Sequence, residues 1–414
     1  MRFNRRRNYN YYSPYSRSRY SSMRWDRILV AGGTTLVILI GLIWFNWNRI
    51  QLMFKGYSFS AQNDILRLDD KDVDEILSHD EMSHIQEWIK ESDQVQLYDE
   101  YEKYLSIYKK ADVKVVVTTV NDIFLNYSNQ MRALGYTEDQ IWDIISVSSV
   151  DDIQYLVKKQ YKYATIQPFM KIQGFQLTDM DQYLKMYKKY DSYNYAVLVT
   201  AYPFIISKNK VNQTYTIQNP DNILTLVKKG FQLPSSYVPA ELVKPDMPIA
   251  PDCDEPMLQK EAADALVEMY KDAKKLGYEL VINSAYRSYK DQQDIYDEYF
   301  KKYDEVTAAS LVAIPGASEH QTGLGVDLTS QSVIKGERLV FGDTAEYQWC
   351  IKNSYKYGFI LRFEEDKAPI TGIAKEPWHF RYVGKDVAKK IYEQKWTLEE
   401  YCLYEGVIPK LKEN

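Results

Sequence analysis

Two short segments in the last third of the chain hold residue types that can do chemistry together. The first is Ser318-Glu319-His320-Gln321-Thr322-Gly323-Leu324-Gly325-Val326-Asp327, and the second is Glu376-Pro377-Trp378-His379-Phe380-Arg381-Tyr382. The protein has four histidines, and only His320 and His379 lie beyond residue 84. With Asp327 they make two neutral imidazoles and a carboxylate. Three such ligands with a fourth position open to water are the catalytic form of a zinc site. Glu376, three residues before the second histidine, is the further carboxylate that such a site needs as general base and acid. The same donor set can hold non-haem iron for oxygen chemistry, but Glu376 and the lack of a recognisable cosubstrate segment favour hydrolysis. One Zn²⁺ per chain is the expected cofactor.

Local structure must bring these residues together. Trp378, Phe380 and Tyr382 alternate with His379 and Arg381, the period-two pattern of a half-buried strand. His379 is expected on one sheet face with the aromatics on the other. Pro377 suits a strand start, which puts Glu376 just before the strand. Gly323 and Gly325 allow a tight turn and close backbone approach, and Val326-Asp327-Leu328-Thr329 reads as the strand after it.

With these residues in view, the chain resembles the VanY-type D-alanyl-D-alanine carboxypeptidases, zinc peptidases that act on bacterial cell-wall peptides. The family pattern is Ser-x-His-x-x-Gly-x-x-x-Asp followed by Glu-x-x-His, with a Tyr-Arg-Ser segment upstream. Here that segment is Ser284-Ala285-Tyr286-Arg287-Ser288-Tyr289, followed by Gln292 and Tyr296. The similarity runs roughly from Asn222 to Tyr401. It implies zinc held by His320, Asp327 and His379, with Glu376 catalytic. Arg287 is implied to anchor the peptide or stabilise the oxyanion, and Gln292 and Ser318 to contact substrate, Ser318 at its terminal carboxylate. The implied reaction removes the terminal D-Ala from peptidoglycan stem peptides. An L,D-carboxypeptidase or endopeptidase would use the same metal set on another bond. A non-enzymatic wall-binding protein would lack a ligand or Glu376, and none is missing.

Residues 1–27 carry eight arginines, no lysine and one acid, and read as a disordered cytoplasmic arm. The apolar run Ile28 to Phe45 follows, so one transmembrane helix is expected over 28–46. Positive charge before it puts the N-terminus in the cytoplasm and the catalytic domain outside the cell membrane. No small-x-small cleavage pattern follows, and Trp44 and Trp47 read as interfacial anchors. The whole chain carries −5 and the arm +7, which leaves −12 on the remainder and excludes nucleic acid as a partner. The odd count of three cysteines (253, 350 and 402) assigns no disulfide.

Residues 56–205 contain a duplication at period 79: Gly56-Tyr57 recurs as Gly135-Tyr136, Asp64-Ile65 as Asp143-Ile144, and Tyr108-Lys109-Lys110 as Tyr187-Lys188-Lys189. Each copy reads as short amphipathic helices closed by a strand-like run, Lys114 to Val120 and Tyr195 to Val199. Two copies are few for a free solenoid, so they should pack on each other or on the enzyme as a spacer, glycan-binding arm or scaffold. The zinc domain is expected over 220–414, opening with a strand at Ile223 to Val227. The expected fold class is α+β: a small, mostly antiparallel sheet carrying the zinc site, preceded by the helical two-unit repeat and the transmembrane helix.

Overall fold

The computed structural model describes residues 25–207, 211, 213–303 and 312–412. The Arg-rich arm lies almost wholly outside the described residues. The chain divides into two compact units, 1–129 and 130–414.

In the first unit, helix α1 (Trp25–Phe45) is followed by α2 (Trp47–Phe54). Among the described residues no single helix is long and apolar enough to cross a membrane. Gly32–Phe45 and Trp47–Phe54 reach that length and composition only as a pair, bent by 64°. This corrects the expected single span over 28–46. At the break, the Asn46 side chain donates to the Leu42 carbonyl at 2.9 Å, in competition with the backbone ladder.

The duplication is structural as well as sequential. Ser58 and Thr137 occupy corresponding positions, and each caps a helix, Phe59–Ile65 or Glu138–Ile145, through its side-chain oxygen. Gly56 and Gly135 both turn the chain at positive φ, 105° and 93°. The buried Tyr57 accepts from the Met82 amide at 3.1 Å, and Tyr136 donates to the Tyr161 carbonyl at 2.9 Å. Met82 and Tyr161 again correspond, so one tyrosine fastens the same loop in each copy.

The runs expected as strands are helical: Lys114 to Val120 lies in α3 (Val113–Asn126), and Tyr195 to Val199 in α4 (Tyr193–Ala201). Side-chain caps from Asp112 and Ser192 start these helices. Val116, Val120 and Ile123 are buried at helical spacing. Packing on one face outweighs the weak strand preference of β-branched residues.

The second unit holds the second copy and the C-terminal domain. There a four-stranded sheet forms from β1 (Leu280–Ser284), β2 (Gly325–Ser330), β3 (Phe359–Phe363) and β4 (Glu376–Tyr382) in the order β1-β2-β4-β3, every pair antiparallel. Helix α5 (Lys260–Lys275) lays Ala262, Leu266, Met269 and Ala273 against Leu280, Ile282, Val326, Leu328 and Phe380. Truncating Phe380 there would cost about 3–5 kcal/mol. The proline-rich segment covers the free edge of β1: Ile282 donates to the Pro248 carbonyl at 2.9 Å, and Ala250 donates to the Ile282 carbonyl at 2.8 Å.

Ile223 to Val227, expected as the first strand of the domain, is a loop. The carbonyls of Ile223 and Thr225 accept from Arg381 Nη2 at 2.9 and 3.0 Å, so a buried guanidinium satisfies them in place of a ladder. A second apolar core joins α4 to the C-terminal domain. Tyr195, Leu198, Tyr202 and Phe204 pack with Phe231, Ile360, Val383, Leu398 and Leu403, the last two from α6 (Leu398–Glu405). Thr397 caps α6 with a capping box, as its position before the helix leads one to expect. All three cysteines are free thiols, with Cys350 and Cys402 buried.

Candidate active site

His320, Asp327 and His379 come together with one ligand atom from each within 4.8 Å of the others. Asp327 on β2 and His379 on β4 are register partners, and Ser284 on β1 continues the row on the other side. His320 arrives from the short turn Glu319–Thr322, which ends at Gly323 with φ +65°. A side chain at Gly323 would also meet Leu242 at 2.8 Å. Gly325 serves close approach: a Cβ there would lie 3.3 Å from the His379 ring.

The hydrogen bonds decide which ring atoms are available. His320 Nδ1 lies 2.7 Å from the Ala285 carbonyl, which can only accept, so the proton is on Nδ1 and the Nε2 lone pair faces Asp327 Oδ2 at 3.4 Å. His379 Nε2 lies 3.3 Å from Glu319 Oε2, and its Nδ1 is 2.9 Å from Asp327 Oδ1. The two rings cross at 82° with centroids 5.0 Å apart. Burial alone would raise the Asp327 carboxyl, but His320 and His379 hold it well below the usual carboxylate range. Burial alone would depress the His379 imidazole, but Asp327 and Glu319 carry it up to about 9. An ionised carboxylate and two imidazoles, each with one nitrogen already committed, form a donor set that fits Zn²⁺.

Glu376 is the first residue of β4 rather than the residue before it, and it pairs with Phe363 across a register shift. Burial pushes its carboxyl up, with Asp327 and Glu319 adding to the shift against His379. His379 and Arg381 are both buried, as their shared face requires, whereas Trp378 on the other face is 39 % exposed and does not join the core.

Arg287 reaches the site beside His320, to whose carbonyl its amide donates at 3.2 Å. Its guanidinium donates to Gln292 Oε1 at 3.0 Å and Ser284 Oγ at 3.2 Å. Gln292 is 1 % exposed, and its amide nitrogen donates to the Ala313 carbonyl at 2.7 Å. Each end of that amide thus carries one bond within the protein, which orients Arg287. Ser318 is buried at the start of the His320 turn and makes no capping bond with its hydroxyl.

Behind the ligands lies a set of charges whose pairing the sequence does not reveal. Glu319 Oε1 accepts from Arg362 Nε at 2.9 Å and lies 3.0 Å from Arg381 Nη1. Arg362 also grips Glu399 with two bonds of 2.9 and 2.8 Å, and Lys228 Nζ donates to Glu399 at 3.2 Å. All five side chains are buried. Burial alone would raise the Glu319 carboxyl, but Arg362 and Arg381 hold it far below its ordinary value. The one visible hint was Glu319 itself, an acid next to His320 with no cation near it in sequence.

The fold and this donor set define an α+β protein with a candidate metal centre of two histidines and one carboxylate. The VanY family, D-alanyl-D-alanine carboxypeptidase, matches residues 255–385. YodJ of Bacillus subtilis (strain 168) is 48 % identical over 194 residues, 46 % of this chain and 71 % of that protein. The solved LD-carboxypeptidase LdcB is 48 % identical, covers 47 % of this chain and 92 % of its own, and superposes with a TM-score of 0.44. The vancomycin-resistance D,D-pentapeptidase VanY of a VanB-type cassette, solved in complex with Zn(II), is 34 % identical over 43 % of this chain and 97 % of its own, with a TM-score of 0.37. The chain belongs to the VanY family of carboxypeptidases.

Proposed function

We propose that the protein is a zinc-dependent D,D-carboxypeptidase that removes the terminal D-Ala from peptidoglycan stem peptides. The observation that carries this is the convergence of His320, Asp327 and His379, one ligand atom from each lying within 4.8 Å of the others. Bound Zn²⁺ would polarise the scissile carbonyl and lower the pKa of its water.

The chain's own residues do the rest. Glu376, its carboxyl raised by burial, accepts the proton of the attacking water and delivers it to the leaving amine. Arg287, held by Gln292 and Ser284, offers its guanidinium to the developing oxyanion or to the peptide. Ser318 is the proposed contact for the terminal carboxylate.

Purified protein incubated with penta- and tetrapeptide stem peptides, followed by mass, tests this reading. Loss of one D-Ala from the pentapeptide, abolished by chelator and restored by Zn²⁺, is expected. Loss from the tetrapeptide alone would reassign the protein as an L,D-carboxypeptidase, and cleavage of neither would favour a wall-binding role.

The α1–α2 pair is proposed as the membrane anchor, with the basic arm in the cytoplasm and the active site outside. The support is the exposure of Leu36 through Phe45, most of them large apolar residues, next to the Arg-rich arm. Extraction by detergent but not by high salt is the expected behaviour in membrane fractions.

A further inference from the structure

Each ligand histidine has one ring nitrogen committed to a partner away from the proposed metal, and the partners differ in kind. For His320 it is the neutral Ala285 carbonyl, and for His379 it is the Glu319 carboxylate. We infer that Glu319 is the positioning residue of His379: it holds the ring proton on Nε2, turns Nδ1 toward Asp327 and strengthens His379 as a ligand. The inference rests on the zinc reading above and concerns a residue that reading does not use.

The geometry leaves Glu319 almost no freedom. It is 4 % exposed. One oxygen faces His379, while the other receives Arg362 Nε and lies within ion-pair distance of Arg381. Arg362 is fixed from its far side by two bonds to Glu399. Arg381 is fixed by bonds to the carbonyls of Tyr382, Ile223 and Thr225. Phe363 lies along the His379 ring with centroids 5.1 Å apart, so a turn of that ring would meet both an aromatic wall and a fixed carboxylate.

Burying an ion-pair cluster is rarely the cheapest way to stabilise a core. A carboxylate here does something an apolar side chain cannot, because it accepts from the imidazole and raises its basicity, as partners of metal-bound histidines do. Glu399 is a natural control. It is as deeply buried and binds the same Arg362, but no ligand histidine is among its hydrogen-bond partners. Glu→Gln at 319 or at 399 removes the same single charge from the same cluster.

The test is zinc affinity of the purified full-length protein by chelator competition. Wild type should bind one zinc and His379→Ala none; failure of either overturns the zinc reading itself. Given that, Glu319→Gln should raise the zinc dissociation constant by roughly 10–100-fold, while Glu399→Gln leaves it within about threefold however far it lowers the melting temperature. Unchanged affinity in Glu319→Gln, or equal weakening in both variants, would overturn the inference. A second measurement needs no variant. With only four histidines, ¹⁵N spectra of the zinc-loaded wild type resolve each ring. His379 should keep a slowly exchanging proton on Nε2, and a metal-bound Nε2 would refute the positioning role.

Discussion

Asp327 and His379 are cross-strand partners, and the aspartate's Oδ1 lies 2.9 Å from the histidine's Nδ1. Two of the three proposed ligands therefore owe their spacing to an antiparallel ladder, and only His320 depends on a turn. His379→Ala removes one ligand and leaves the ladder intact. Metal analysis should then find folded protein without stoichiometric zinc, and full zinc content would exclude His379 as a ligand.

Glu376→Gln keeps the size of the side chain and removes its capacity to take a proton. The variant should retain its fold and most of its zinc and still bind peptide. Its kcat should fall by roughly 10²–10⁴-fold, the usual contribution of general acid–base catalysis. Turnover within about threefold of wild type would remove this residue from the mechanism.

Arg287→Ala should raise KM and lower kcat together, because the guanidinium is proposed to touch substrate in both ground and transition states. A change in kcat alone, read from steady-state kinetics on soluble pentapeptide, would restrict Arg287 to the oxyanion.

Acid should loosen the buried cluster. Burial alone would raise the Glu399 carboxyl, but Arg362 and Lys228 hold it at about 2, below its ordinary 4.5. A depressed carboxyl contributes stability that is fully present above about pH 4.5 and is lost as the pH falls toward 2. Glu399→Gln should cost about 3–5 kcal/mol near neutrality, since two cations lose their partner. Denaturation from pH 7 to 2 should show wild type and variant converging through that acid window. Parallel curves would contradict the cluster's role.

A chain beginning at Pro220 would lose α4 and strip Tyr195, Leu198, Tyr202 and Phe204 from the shared core. It should melt well below the full chain yet still hydrolyse soluble peptide, as no catalytic candidate lies before Ser284. An unchanged melting temperature would show that this core does not hold the domain together, and a folded, zinc-loaded but inactive chain would mean the repeat builds part of the site.

The candidate site was more legible in the sequence than the body that carries it. His320, Asp327, His379 and Glu376 stood out because metal chemistry admits few residue types and the glycines and aromatics beside them signal turn and strand. Glu319, Arg362, Arg381, Glu399 and Lys228 did not, because their partners are far away along the chain and a charged residue reads as solvated until its partner is found. The runs at Lys114 and Tyr195 misled in the opposite direction. Their β-branched and aromatic residues suit a strand, but capped helices with one buried face were better satisfied. Ile223 to Val227 failed as a strand because Arg381, more than 150 residues on, takes its carbonyls.

The two copies of the repeat now live under different constraints. At positions where the second has Tyr195 and Tyr202, the first has Val116 and Ile123. The tyrosines share a core with the C-terminal domain, whereas the aliphatic residues are buried in a unit of their own. A substitution at Tyr195 or Tyr202 must be compatible with the domain that carries the candidate site. Duplication has thus given this chain one copy whose apolar core is also that of the enzyme.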